Sequence, residues 1–152
     1  MEGFDEMAKV LKKMPIVFLS LGSNLGNRAQ HLQDAKDAIL QNIGKIISES
    51  SIYESEAAGF NGNDFFNQVI KIETTLLPID LLQKTQEIEK KMGRTQRTII
   101  VAGKPVYTNR IIDIDILLYD DLQINTETLT IPHPRMLARE FVIKPLEELC
   151  GV

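Results

Sequence analysis

Cysteine is almost missing from this chain: one residue, Cys150, in 152. An internal disulfide is therefore excluded, and so is a cysteine-based zinc site. A reducing cytoplasm is the expected compartment. No apolar run is long enough to span a membrane, so no membrane partner is expected. The stretch from Met1 to Met14 lacks the apolar centre and cleavage pattern of a signal peptide. It reads as an extension ahead of a single domain over residues 15–152. A surplus of positive charge is also lacking. The formal net charge is −4, which argues against a broad nucleic-acid surface. Internal repeats and low-complexity tracts are absent. Gly22-Ser23-Asn24 has neither the lysine nor the second glycine of a Walker A loop, and no dinucleotide fingerprint occurs.

What is present begins with Arg110-Ile-Ile-Asp113-Ile-Asp115-Ile-Leu-Leu-Tyr119. Branched apolar residues mark it as a strand. Alternation then puts Asp113 and Asp115 on one face. Two neighbouring carboxylates on an apolar strand repel each other, and burial makes this worse. A divalent cation resolves the conflict, and oxygen ligands suit Mg²⁺ with substrate phosphates. Alternatively the strand lies at a sheet edge and both carboxylates face water. The pair alone does not decide between the two.

The rest of the pattern gives an architecture. Ile16–Leu21 is a strand and Gly22–Asn27 a turn. A helix follows with Leu32, Ala35, Ile39 and Ile43 at helical spacing, Asn27 as its cap and Gly44 as its end. Lys45–Tyr53 reads as a second strand, Ser55–Asp64 as a loop and Phe65–Thr75 as a third strand. Pro78 opens a second helix, striped by Leu81, Leu82, Thr85, Ile88 and Met92 and closed by Gly93. Arg94–Asn109 reads as a long basic loop, with Gly103 and Pro105 breaking regular structure. The Asp-bearing strand comes next, then a small hairpin over Leu122–Ile131 and a return of Phe141–Leu149 to the body. The order βαββαβ predicts an α+β, ferredoxin-like sandwich: an antiparallel sheet with helices packed on it, plus a small C-terminal hairpin and helix.

A long basic loop ending beside two carboxylates could serve a polyphosphate, with Arg97 and Arg110 as bidentate donors. It could equally be a solvated loop. His133, held between Pro132 and Pro134, could donate to a phosphate or be purely structural.

The motifs together resemble the 6-hydroxymethyl-7,8-dihydropterin pyrophosphokinase family. The resemblance runs from Ile16 to about Leu149. It rests on Gly22-Ser23-Asn24-Leu25-Gly26, Phe65-Phe66-Asn67, Gln86-Glu-Ile-Glu89 before Gly93-Arg94, the Arg110–Leu118 segment, Pro132-His133-Pro134-Arg135, Arg139, Phe141-Val142 and Pro145-Leu146. It implies transfer of diphosphate from ATP to the pterin hydroxymethyl group, yielding AMP, in folate biosynthesis. By the same resemblance, Asp113 and Asp115 hold two Mg²⁺ ions. Arg97 and Arg110 join them as catalytic residues. Glu89, Arg94, Arg97, Arg110, His133 and Arg139 meet ATP. Ser55, Ala57, Ala58, Phe65, Asn67, Tyr107 and Phe141 meet the pterin. Asn24 shapes the first loop rather than touching phosphate. A monomer is expected, with a dimer and contacts to neighbouring folate enzymes left open.

Two departures stand out. The family places Trp-Gly-Pro before the arginine, where this chain has Tyr107-Thr108-Asn109. It places Thr-Pro where this chain has Ser55-Glu56. Activity is expected to survive, with altered loop ordering and pterin affinity. Two other readings compete: a non-catalytic ferredoxin-like module binding a small ligand, and an RNA-binding sheet. Neither explains the carboxylate pair beside Arg110.

Overall fold

A computed structural model describes residues 14–56, 63–93, 99–102, 104–106 and 110–150. The main sheet contains β1 (Ile16–Ser23), β2 (Gly44–Glu49), β3 (Tyr53–Ser55), β4 (Phe65–Thr74) and β7 (Asp113–Tyr119). Its order is β2-β4-β1-β7, with β3 pairing the start of β4 beyond the end of β2. Every pair is antiparallel. With α1 (Arg28–Asn42) and α2 (Pro78–Lys91) between strands, this is the expected ferredoxin-like arrangement.

The sheet has two unlike faces because its strands alternate. Val17, Leu19 and Leu21 of β1, Ile70 and Ile72 of β4, and Ile114 and Ile116 of β7 point one way. They pack with Leu32, Ala35 and Ile39 of α1 and Leu81 and Ile88 of α2. Each such burial stabilises by roughly 2 kcal/mol relative to exposure. Asn27 caps α1 as expected, its side chain accepting from Gln30 N at 3.2 Å. Pro78 occupies the first turn of α2, and Gly93 follows it at φ +104°.

Gly44 has a different role from the one its position suggested. It starts β2, one residue past the C-cap Ile43. A Cβ there would lie 2.0 Å from the Glu73 carbonyl oxygen, so close backbone approach requires the glycine.

The second strand expected over Lys45–Tyr53 is split. At Ser50 the hydroxyl accepts from Val69 N at 3.0 Å, and Gln68 Nε2 donates to the Ser50 carbonyl at 2.6 Å. Side chains thus take over ladder bonds, and the chain resumes as β3.

The long loop after α2 is not structureless. β5 (Ile99–Val101) and β6 (Lys104–Val106) form a two-stranded hairpin in which Ile100 faces Pro105. Three consecutive β-branched residues outweigh the proline, and Ala102 turns the chain at φ +51°. A second hairpin, β8 (Ile124–Asn125) and β9 (Thr130–Ile131), falls inside the expected Leu122–Ile131.

The other sheet face is partly covered by α3 (Glu140–Cys150), which packs on β4 and β3. Val142, Phe141, Leu146 and Leu149 meet Val69, Leu117 and Phe18 there. The remainder of that face stays open. No helix among the described residues is long and apolar enough to cross a membrane.

Candidate active site

The open part of the second face holds a cavity of about 440 Å³. Strand register builds its floor. Gly22 of β1 sits between Asn67 of β4 and Asp113 of β7, and Ser20 sits beside Asp115. Asp113 and Asp115 both line the cavity. β7 is an edge strand, yet its carboxylates turn into the cavity, and the Asp113 side chain is 23% exposed. A Cβ at Gly22 would touch Asn67 Oδ1 at 3.5 Å, so a longer side chain would fill the floor.

Arg110 Nη1 lies 3.4 Å from Asp113 Oδ2. Its backbone is held by Asn24: Arg110 N donates to Asn24 Oδ1 at 2.6 Å, and Asn24 N donates to Arg110 O at 3.0 Å. Asn24 also exchanges bonds with Asn63, donating Nδ2 to its carbonyl at 3.1 Å and accepting from its Nδ2 at 3.2 Å. The buried Asn24 therefore joins the loop after β1, the start of β4 and the segment before β7, as expected of a loop-shaping residue.

Asn67 Nδ2 donates to Tyr53 O at 3.0 Å and to Ser55 Oγ at 2.8 Å. Both amide hydrogens are thus turned toward β3, which leaves Oδ1 on the Gly22 side as an acceptor. Ser55, Phe65, Phe141 and Arg139 line the same cavity. The Arg139 guanidinium lies 5.7 Å from the Phe141 ring centroid.

His133 lines an adjoining cavity of about 210 Å³, together with Leu82, Ile116, Leu129 and Thr130. Asp115 lines both cavities and so joins them. Burial lowers the His133 pKa from its ordinary value, Arg139 and Arg135 add to this, and Asp113 opposes it. Its Nδ1 accepts from Arg135 N at 3.2 Å, which places the proton of the neutral ring on Nε2.

Glu89 lines neither cavity. It is 3% exposed, and its Oε2 accepts from Ile114 N at 2.9 Å, between the two aspartates. It thereby satisfies a donor on the outer side of an edge strand. Of the remaining expected residues, Ala57, Ala58, Arg94, Arg97 and Tyr107 lie outside the described residues. Sequence reasoning overlooked the cavity beside His133. Leu82 reads as part of a helix stripe and Leu129 falls within the expected hairpin, and no periodic signal separates a core residue from one lining a small cavity. Glu56, one of the two departures from the family pattern, lines the larger cavity and puts a charge there.

Among the described residues, no group of three or more His, Cys, Asp or Glu could hold a metal alone. Two carboxylates facing a cavity with arginines fit Mg²⁺, which completes its shell with water and phosphate oxygens.

Fold and cavity together define a ferredoxin-like enzyme domain equipped for phosphate chemistry on its open sheet face. The chain belongs to the 7,8-dihydro-6-hydroxymethylpterin-pyrophosphokinase family, whose model matches residues 18–151. It is 40% identical over 137 residues to 2-amino-4-hydroxy-6-hydroxymethyldihydropteridine pyrophosphokinase of Bacillus subtilis, covering 89% of this chain and 78% of that one. The Porphyromonas gingivalis enzyme of the same name is 41% identical over 138 residues, covering 90% and 91%. The fold is shared with a crystal structure of HPPK-DHPS in complex with substrates, at TM-score 0.68 and 16% identity over 90% of this chain. This chain spans 40% of that longer one.

Proposed function

We propose that this chain transfers diphosphate from ATP to the hydroxymethyl group of 6-hydroxymethyl-7,8-dihydropterin, as a step of folate biosynthesis. The hydroxymethyl oxygen attacks the β-phosphorus, the bond from that phosphorus to the α-phosphate oxygen breaks, and AMP leaves. The observation that carries this reading is the carboxylate pair of β7 sharing one cavity with Asn67, Phe65 and Phe141.

Asp113 and Asp115 would hold two Mg²⁺ ions. When bound, Mg²⁺ supplies charge neutralisation along the triphosphate. Arg110 and Arg139 add fixed positive charge, and the Nε2–H of His133 is a neutral donor to a phosphate oxygen. The smaller cavity, walled by Leu82, Ile116 and Leu129, suits the adenine ring. Asn67 Oδ1 and Ser55 would read the pterin's polar edge, and Phe65 and Phe141 would meet its flat faces. Arg97 would act with Arg110 on the phosphates, Arg94 would meet ATP, and Tyr107, Ala57 and Ala58 would complete the pterin side. Besides the aspartate pair, Glu56 and Glu140 bring carboxylates to the lining of the larger cavity, and positioning and charge neutralisation would carry most of the rate.

We take residues 15–152 as the catalytic domain and 1–14 as an extension. A monomeric, cytoplasmic enzyme is the simplest form of this reading. The domain aligns with only 17% of Folic acid synthesis protein fol1 of Pneumocystis carinii, at 43% identity, so a longer chain can contain such a domain. By that arrangement this domain would contact neighbouring folate enzymes.

The test is a nucleotide product assay with ATP, Mg²⁺ and the dihydropterin, run beside an Asp113→Ala/Asp115→Ala double variant. Pterin-dependent AMP is expected from the parent, and at least about 100-fold less from the variant. ADP as the product, or AMP that does not depend on the pterin, would refute diphosphate transfer.

A further inference from the structure

The pterin side of the cavity is assembled from elements far apart in sequence. Phe141 comes from α3, while Ser55 and Asn67 come from β3 and β4. Apolar packing of Val142 and Leu146 on Val69 presses α3 to the sheet. Such packing is non-directional and does not by itself fix how far α3 slides along the face.

A directional contact exists at the other end of α3. Glu148 Oε1 accepts from Ser51 N at 2.9 Å, and Glu148 Oε2 accepts from Ser51 Oγ and Tyr53 Oη, each at 2.9 Å. One carboxylate thus takes three donors from the connection into β3. Charge-assisted bonds of this kind are stronger and more orienting than neutral ones. They hold the Glu148 carboxyl below its ordinary pKa, led by the Ser51 amide, and raise the Tyr53 phenol, led by Glu148. Phe141 and Glu148 are seven residues apart, two turns along one helix face. Tyr53 is in turn bonded through its carbonyl to Asn67. The path Glu148–Tyr53–Asn67 therefore links the helix bearing Phe141 to the amide at the cavity floor.

We propose that Glu148 is a positioning residue for the pterin slot, fixing α3 against β3 and thereby the gap between Phe141 and Asn67. This rests on the reading of the cavity as a pterin site. Nothing about Glu148 touches the substrate, because it does not line either cavity. The smaller cavity is built from β7, α2 and the segment around β9, away from Glu148, and only Arg139, whose carbonyl accepts from Val142 N and Ile143 N in the first turn of α3, ties the ATP side to this helix.

The experiment compares Glu148→Ala, Glu148→Gln and Tyr53→Phe with the parent in steady-state assays, alongside amide exchange at Ser51. Glu148→Ala is expected to raise the pterin KM about tenfold, and the ATP KM, which α3 reaches only through Arg139, by no more than about threefold, with kcat within about twofold. Ser51 should lose exchange protection in the same variant. Glu148→Gln keeps the shape and part of the acceptor capacity and should recover much of the loss. Tyr53→Phe removes one donor and should fall between. Glu147→Gln, on the exposed side of α3, should match the parent. An unchanged pterin KM overturns the proposal, and so does an equal rise in both KM values with lowered thermal stability, which marks a merely structural contact. A parent without pterin-dependent AMP instead overturns the underlying reading of the site, and this shows before any variant is compared.

Discussion

Asn24→Ala tests whether the loop after β1 is held by one buried side chain. The Asn24 side chain is fully buried and receives the Arg110 amide while donating to the Asn63 carbonyl. Truncation leaves both groups without that partner in a part-buried setting. At about 1–3 kcal/mol for each stranded group, the loss should be about 2–6 kcal/mol. The backbone bond from Asn24 N to Arg110 O survives, so the fold should persist. Urea denaturation should show a lower midpoint with an unchanged m-value. The active site should feel more than stability, because Arg110 loses an anchor beside Asp113. A fall in kcat of about tenfold or more is expected at temperatures where the variant is fully folded. A stability loss below about 0.5 kcal/mol, smaller than the typical net worth of one hydrogen bond, together with parental kcat would refute this account of the loop.

Two further outcomes follow from the geometry. Gly44→Ala places a Cβ 2.0 Å from the Glu73 carbonyl oxygen, so β2 must move away from β4; a stability loss of about 3 kcal/mol is expected by thermal or urea unfolding, and a variant as stable as the parent would contradict the contact. His133 in the nucleotide-free protein should titrate, by NMR of its ring protons, below the ordinary value of 6.5. Its folded pKa lies below its unfolded one, so in the window between them the unfolded chain binds more protons, and this contribution to stability falls as pH drops through that window. A midpoint at or above 6.5 would show that Asp113 outweighs burial.

Much of the framework was legible because it is written in local periodicity. Leu32, Ala35 and Ile39 repeat at helical spacing and are buried, and Asn27 caps the helix they form. Asp113 and Asp115 could be placed on one face because strand alternation needs no tertiary information. What stayed hidden depended on partners distant in sequence. Glu148 looks like any solvent-facing helix residue until α3 lies against Ser51, 97 positions earlier. Gly44 resembles a helix terminator until the Glu73 carbonyl is brought beside it. Glu89 sits in a motif that suggested nucleotide contact, and the bond its Oε2 accepts from Ile114 N of β7 could not be read from that motif. The hairpin over Ile99–Val106 was missed because glycine and proline were given more weight than the valines and isoleucines flanking them.

The alternation of β7 has one more consequence. Ile114 and Ile116 fill the core from the same seven-residue strand that presents Asp113 and Asp115 to the cavity. A slip of one residue against β1 would drive two carboxylates into hydrocarbon and two isoleucines into the cavity. Misalignment of the reactive groups is therefore also a failure to fold. A molecule that has reached its native state has already passed an alignment check on its active site, and no separate maturation step is needed to enforce it.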